Sequence, residues 1–162
     1  MSWLTRIVPA RVLGGAAVGA AARRVFPRTD RILQRATGGR VSLAGTAGMP
    51  LLLLETIGRR TAERRVTPLT YAAADAGSFL VAGSNWGQQR PPGWALNLLA
   101  APDAVVSLRG RSFPVTARAL GGQERAAAWA MLIEVWPAYE EYARRVSSAS
   151  GRQIMVFRLE RA

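Results

Sequence analysis

The chain has 162 residues, 49% of them apolar, and a formal charge of +12. That is enough for one domain with a genuine core plus an appendage, and too apolar for a disordered segment. It contains no cysteine and no histidine, which removes disulfides, zinc fingers, Ser–His and Cys–His catalysis and most transition-metal sites, so no metal is expected.

All 22 basic residues are arginine, and eight of them stand in the first 40 residues against a single acid, Asp30. Such a field attracts phosphates, acidic ligands, nucleic acid or an anionic membrane. Residues 9–25 read as a small-residue helix stopped by Pro27, and Thr29 or Asp30 caps a second helix through Ala36, ended by Gly38 and Gly39. No apolar run reaches the roughly 20 residues of a membrane-spanning helix. The stretch 12–22 is too glycine-rich for a strong signal-peptide core and fits a retained helix, buried or lying at an interface. With the glycine-rich stretch 38–50 as linker, the division is a basic helical arm and linker over 1–48 and a folded domain over 49–162.

From Leu51 the pattern is that of strands. LLLLET (51–56) is a short apolar run, and VTPLTY (66–71) and SFLVAG (78–83) pair as a hairpin around the turn 75–77. Pro68 predicts an edge position or a bulge in the second of these strands. A short helix over 94–101 ends at Pro102. AVVSL (104–108) and SFPVTARAL (112–120) form another hairpin around 109–111. Residues 123–135 predict an amphipathic helix with Ala127, Met131 and Val135 on one face. Pro137 breaks it, a second helix runs to Arg145, and IMVFRLE (154–160) closes the sheet. The result is a mainly β fold with helices (α+β), a small barrel of about six mostly antiparallel strands with helices packed outside. No GxGxxG follows a strand and no GxxxxGK[ST] occurs, so Rossmann and P-loop readings fail.

Without thiols or imidazoles, if the protein is an enzyme the difficult chemistry has to come from a bound cofactor. Three segments are suited to holding one. GRRTAERRVTP (58–68) gathers four arginines and two threonines, and guanidinium forks match phosphate and carboxylate oxygens. A solvated basic turn, partly neutralised by Glu63, is the competing reading. GSNWGQQRPPGWALNL (83–98) is a glycine-rich turn leading into a helix, in which free N–H groups, Ser84 and Asn85 suit close approach of a planar or phosphorylated ligand. The same segment also reads as a long loop, with Trp94 anchoring the helix in the core. Finally, Trp136, Tyr139 and Tyr142 recur at a spacing of three, on one side of a helical turn. Buried phenols need partners, so this row is a candidate pocket wall, or else a partly exposed face against the sheet.

Together and in this order, TxGRRT with RVTPL, the GS-rich turn and WALNLLAAP resemble the deazaflavin-dependent nitroreductase and quinone-reductase family of actinobacteria. The resemblance spans about Leu51 to Leu159. It implies a split β-barrel and coenzyme F420, used in its reduced form F420H2. By it, Arg59, Arg60 and Arg65 hold the coenzyme's phosphate and acidic tail. Thr67, Pro68, Ser84, Asn85, Trp86 and Gly87 border the ring, and Asn97 helps to hold the cofactor. Trp136, Tyr139 and Tyr142 form the substrate pocket, with Ser84, Tyr139 and Tyr142 as the catalytic candidates. The sequence departs from the family pattern at Trp136, where a tyrosine is familiar, at the pair Asn85 and Trp86, and at Gly93.

The implied reaction is hydride transfer from the deazaflavin to a hydrophobic quinone or nitroaromatic acceptor, with a phenol or water as proton donor. The implied setting is cytoplasmic, peripheral at the inner face of the cell membrane, with the basic arm docked on anionic lipid, and a homodimer stays open. Three alternatives remain: a split-barrel reductase using FMN, a non-catalytic cofactor or fatty-acid carrier of the same fold, and a nucleic-acid binder. The last is disfavoured because no strand interleaves basic and aromatic residues.

Overall fold

The computed structural model describes residues 49–75 and 77–162; the expected N-terminal arm and linker, 1–48, lie outside the described residues. Six strands run β1 (Leu51–Ile57), β2 (Arg64–Asp75), β3 (Ser78–Ala82), β4 (Asp103–Leu108), β5 (Arg111–Ala119) and β6 (Val156–Arg161). They close a barrel in the order β1-β2-β3-β6-β5-β4, and every pairing is antiparallel. Three helices complete the described chain: α1 (Gly93–Ala100), α2 (Gly122–Val135) and α3 (Ala138–Ser150).

Period-two alternation fills the barrel. Leu52 and Leu54 of β1, Val106 of β4, Val115 of β5 and Phe157 and Leu159 of β6 all point inward and are buried. Helix α1 adds Trp94, Ala95 and Leu98 to the same cluster, and the Trp94 ring lies 5.7 Å from that of Phe157. Trp94 is therefore a core residue. A second core lies outside the barrel, where Ala72, Leu80, Ala82 and Val156 meet Ala128 and Leu132 of α2 and Tyr139, Tyr142 and Val146 of α3. Strand β3 serves both cores, which is why it reads as an unbroken apolar run and not as an alternation.

The sequence reading of α2 is corrected. Its packed stripe is Ala128 and Leu132, continued by Trp136, whereas Ala127 is exposed and Met131 and Val135 lie on the flank. Leu120 is tied to the barrel by its N–H, which donates to the Val156 carbonyl at 2.9 Å, and Gly122 turns the chain at φ 53°. These anchors, and not the hydrophobic periodicity of an alanine-rich segment, set the rotational phase. Helix α3 runs on past Arg145 to Ser150, where Gly151 in the left-handed region (φ 67°) ends it. The strands β2 and β6 also differ from expectation at their ends: β2 extends to Arg64 and Asp75, and Ile154 precedes β6.

One seam positions the site. Strands β2 and β3 pair only from Tyr71↔Val81 to Asp75↔Ser78. Past that point β3 follows β6, with the Gly83 N–H donating to the Met155 carbonyl at 2.8 Å, while β2 continues along β1 through Arg64↔Ile57. The two strands splay. Because the Tyr71 N–H donates to Pro50 on the β1 side, alternation aims the backbone of Leu69, Thr67 and Arg65 at β1 and that of Pro68, Val66 and Arg64 into the split. Among the described residues no strand pairs with that edge. Pro68, which has no N–H to leave unpaired, stands at the edge position expected of it.

Candidate functional site

The basic turn closes the end of the β1–β2 ribbon. The Gly58 N–H donates to the Glu63 carbonyl at 2.8 Å, while the N–H groups of Thr61 and Ala62 return to the Gly58 carbonyl. Its four arginines are not equivalent. Arg64 pairs with Glu55 across the ribbon at 3.1 Å, and Arg65 binds Glu63 and the Thr61 hydroxyl. Arg59 lends its backbone N–H to Asn97 Oδ1 at 3.2 Å, with its Nη1 at 3.5 Å from the same oxygen. Arg60 is exposed and has no carboxylate partner among the described residues. The turn thus offers an unspent guanidinium at Arg60 and partly spent ones at Arg59 and Arg65.

Asn97 is 6% exposed, and its Nδ2 donates to the hydroxyl of Thr56, itself 2% exposed. The amide is therefore committed first to the turn. Thr56 went unread in the sequence although a signal was there: in LLLLET it falls in the inward phase of Leu52 and Leu54, a polar residue where the barrel wants an apolar one.

Ser84 is buried just past the end of β3, and Thr67 and Pro68 of β2 are half-buried. Asn85, Trp86 and Gly87 then make a short 3-10 turn with φ of 47°, 57° and 75°, three successive residues in the left-handed region. The Asn85 side chain holds it by donating to the Arg90 carbonyl at 2.9 Å, and Arg152 clamps the carbonyls of Gln88 and Gln89. A strained, over-determined turn of this kind fixes where the Trp86 ring stands. It stands edge-on to Tyr142, 6.4 Å between centroids. Gly87 packs so closely that an added Cβ would lie 3.2 Å from the Tyr142 Cα. An open groove of about 570 Å3, lined by Gly87, Gln88, Gln89, Arg90, Arg145 and Ala149, runs beside this turn.

The aromatic row is brought together and is longer than expected. Trp136, Tyr139 and Tyr142 are 8%, 6% and 3% exposed, so they are core residues of the outer cluster and not a partly exposed face. Tyr139 lies 6.2 Å from Tyr142 and 5.8 Å from Trp129, extending the row to Trp129–Tyr139–Tyr142–Trp86. Trp129 was missed because the phase of α2 was misread; it lies one and two turns before Leu132 and Trp136 on the packed stripe. Burial pushes the Tyr139 phenol well above its ordinary value, with Tyr142 adding to the shift. Its burial therefore favours the neutral phenol.

Helix α1 bridges the two halves: Asn97 holds the basic turn, and the other end of the helix follows the 84–92 segment, where Gly83 abuts Ala95 and Pro92. By their chemistry Arg59 and Arg60 could hold an anionic group at the turn. No group of three or more acidic residues that could hold a metal ion occurs among the described residues.

A six-stranded barrel opened along one seam, with a basic turn at one end of the opening and an aromatic wall at the other, defines a split-barrel cofactor-binding domain. Residues 26–160 match the family described as F420H(2)-dependent quinone reductase, and the chain belongs to that family. An F420H(2)-dependent quinone reductase of Mycobacterium tuberculosis is 40% identical over 91 residues, 56% of this chain and 60% of its own length, so the matched stretch spans under two thirds of that relative. A solved F420-H2 dependent reductase shares 31% identity, covering 68% of this chain and 94% of its own, with a TM-score of 0.60. A solved domain-swapped dimer, also 31% identical, covers 82% of this chain and 94% of its own at a TM-score of 0.63. The family match begins at residue 26, upstream of Leu51 where the motif resemblance starts, and so reaches into the expected arm.

Proposed function

We propose that this chain is an F420H2-dependent oxidoreductase that reduces a quinone-type acceptor. The carrying observation is the seam where β2 and β3 part, which leaves an open strand edge running toward the guanidinium-rich turn, with Ser84 buried just past β3 and an aromatic cluster packed on β2 and β3. Membership of a family named for F420H2 supports the deazaflavin over FMN, and over a non-catalytic carrier.

Reduced F420, when bound, supplies a hydride from its ring. The protein does the rest by binding, orienting and excluding water. Arg59, Arg60 and Arg65 take the phosphate and acidic tail through charge-assisted hydrogen bonds. Thr67 and Pro68 border the ring on the β2 side, Ser84, Asn85, Trp86 and Gly87 on the other, and Asn97 keeps the tail end in register. Trp136, Tyr139 and Tyr142 line the acceptor side with apolar surface. There the hydroxyls of Ser84, Tyr142 and Tyr139 donate to the acceptor oxygen as negative charge develops on it. The proton comes from a phenol or from water.

Family membership supports a quinone-type acceptor, and the apolar wall suits a hydrophobic one, quinone or nitroaromatic. The net charge of the first 40 residues supports a cytoplasmic enzyme peripheral to the anionic inner face of the membrane, and the domain-swapped relative supports a homodimer. No helix among the described residues is long and apolar enough to cross a membrane.

The test is direct. Purified protein with F420H2 should oxidise it when menadione is added and should bind F420 in preference to FMN in a fluorescence-quenching titration. Preference for FMN, or no turnover with any quinone or nitroaromatic, sinks the proposal. Flotation with anionic vesicles, comparing the full chain with one that begins at Gly48, tests the membrane arm.

A further inference from the structure

We propose that Thr56 is a positioning residue for the anionic end of the coenzyme, acting through Asn97 on the turn that carries Arg59 and Arg60. The inference rests on the F420 reading above and deepens it. Thr56 and Asn97 are two of the few buried polar side chains among the described residues, 2% and 6% exposed. They form one chain: Asn97 Nδ2 donates to Thr56 Oγ1 at 3.1 Å, and Asn97 Oδ1 accepts the Arg59 N–H at 3.2 Å. A buried amide is costly to leave unpaired, so each contact enforces the other.

Apart from its two flanking strands, the basic turn is tied to the domain by Asn97. Within the turn the bonds are local, Gly58 to Glu63 and back from Thr61 and Ala62. These fix its shape but not its attitude toward the barrel. Binding the Arg59 N–H fixes the backbone at Arg59, and hence the directions in which Arg59 and Arg60 leave the chain. The orientation of Asn97 is in turn set by Thr56, which the barrel holds between Leu54 and the end of β1.

Helix α1 makes this more than a local brace. Gly83, next to Ser84, lies against the start of α1, where an added Cβ would stand 3.4 Å from the Ala95 Cβ and 3.6 Å from Pro92, and Ala95 is two residues from Asn97 on the same helix. At about 1.5 Å of rise per residue Ala95 and Asn97 stand about 3 Å apart along the axis, so one rigid helical turn touches the Ser84 segment and holds the basic turn. The Thr56–Asn97–Arg59 chain therefore sets the span between the head and tail half-sites. A ligand that bridges both feels that span, and one that occupies the head site alone does not.

The experiment compares two ligands on the full chain: F420, and the same deazaflavin cut back to its ring and ribityl chain, without phosphate or tail. Thr56→Val keeps the shape and leaves the Asn97 amide without an acceptor; Thr56→Ser keeps the acceptor. Thr56→Val should weaken F420 about tenfold while the truncated ligand changes by less than about twofold, and kcat at saturating F420H2 is held. Thr56→Ser should restore wild-type F420 affinity. Equal losses for both ligands mark Thr56 as merely structural and overturn the proposal, as does an unchanged F420 affinity. A lowered melting temperature without a change in the ratio of the two affinities counts against it in the same way. Failure of the underlying reading has its own signature: wild-type protein that binds the truncated ligand as tightly as F420, or prefers FMN.

Discussion

Replacing Arg60 by alanine removes a guanidinium that has no carboxylate partner among the described residues and leaves every contact of the turn in place. Its effect should fall on ligand binding alone. A hydrogen bond to a charged group contributes about 1.5–3 kcal/mol, and at so exposed a position the lower end applies, roughly a tenfold loss of F420 affinity. The neighbouring arginines calibrate this value. Arg65 must give up part of its contact with Glu63 and Thr61 to engage a ligand, so Arg65→Ala should cost less, about three- to fivefold. Arg64 is held by Glu55 on the outer face of the ribbon, and Arg64→Ala should change affinity by less than about twofold. The assay is fluorescence-quenching titration of F420 at low and high salt. Because screening shortens the reach of charges to about 8 Å at physiological ionic strength, added salt should weaken wild type more than Arg60→Ala. Equal losses from Arg60→Ala and Arg64→Ala, or none from Arg60→Ala, would place the anionic tail elsewhere and refute the assignment of the turn.

Tyr139→Phe should lower kcat with menadione about tenfold at nearly unchanged F420 affinity, and parallel loss of both would mean that Tyr139 has been misplaced. Since burial raises the Tyr139 phenol above the ordinary tyrosine value of about 10, the unfolded chain ionises there first and the native state does not. Stability should therefore fall as pH rises through about 10, and Tyr139→Phe should flatten that slope in urea titrations; an unaltered slope contradicts the buried phenol. Gly87→Ala places a Cβ against the Tyr142 backbone at a positive φ, and should cost at least about 1 kcal/mol and lower the melting temperature, where neutrality would refute the packing. Leu132→Ala, at a fully buried position of α2, should cost about 2–5 kcal/mol by denaturant unfolding, while Ala127→Ser should cost almost nothing. The reverse ranking would restore the discarded helix face.

Much of the barrel was legible because strand signals are local. The runs at 51–56, 66–71, 78–83, 104–108 and 112–120 each carry β-rich composition between turn residues, and the Arg109–Gly110 turn adopts the left-handed pair a tight hairpin needs. Pro68 could be placed on an edge because a residue without an N–H fits poorly inside a ladder. The α2 phase was not legible: in GQERAAAWAMLIEV alanine suits either side of a helix, so periodicity gives a weak answer. Only the anchor at Leu120 and the packing of Trp129 and Trp136 resolve it.

The site divides along the same line. Residue types and their order determined that this chain has no thiol or imidazole chemistry, that four of its arginines gather at one turn, and that its motifs are those of a deazaflavin-dependent family. Charge density and motif order are properties of the string itself. What each residue does was decided by contacts between segments far apart in the chain. Asn97 reaches back 38 residues to Arg59 and 41 to Thr56, Trp86 is held against Tyr142, and the split exists because β3 leaves β2 to follow β6. Such pairings depend on which strands meet and at what register, a long-range choice that no window along the sequence contains.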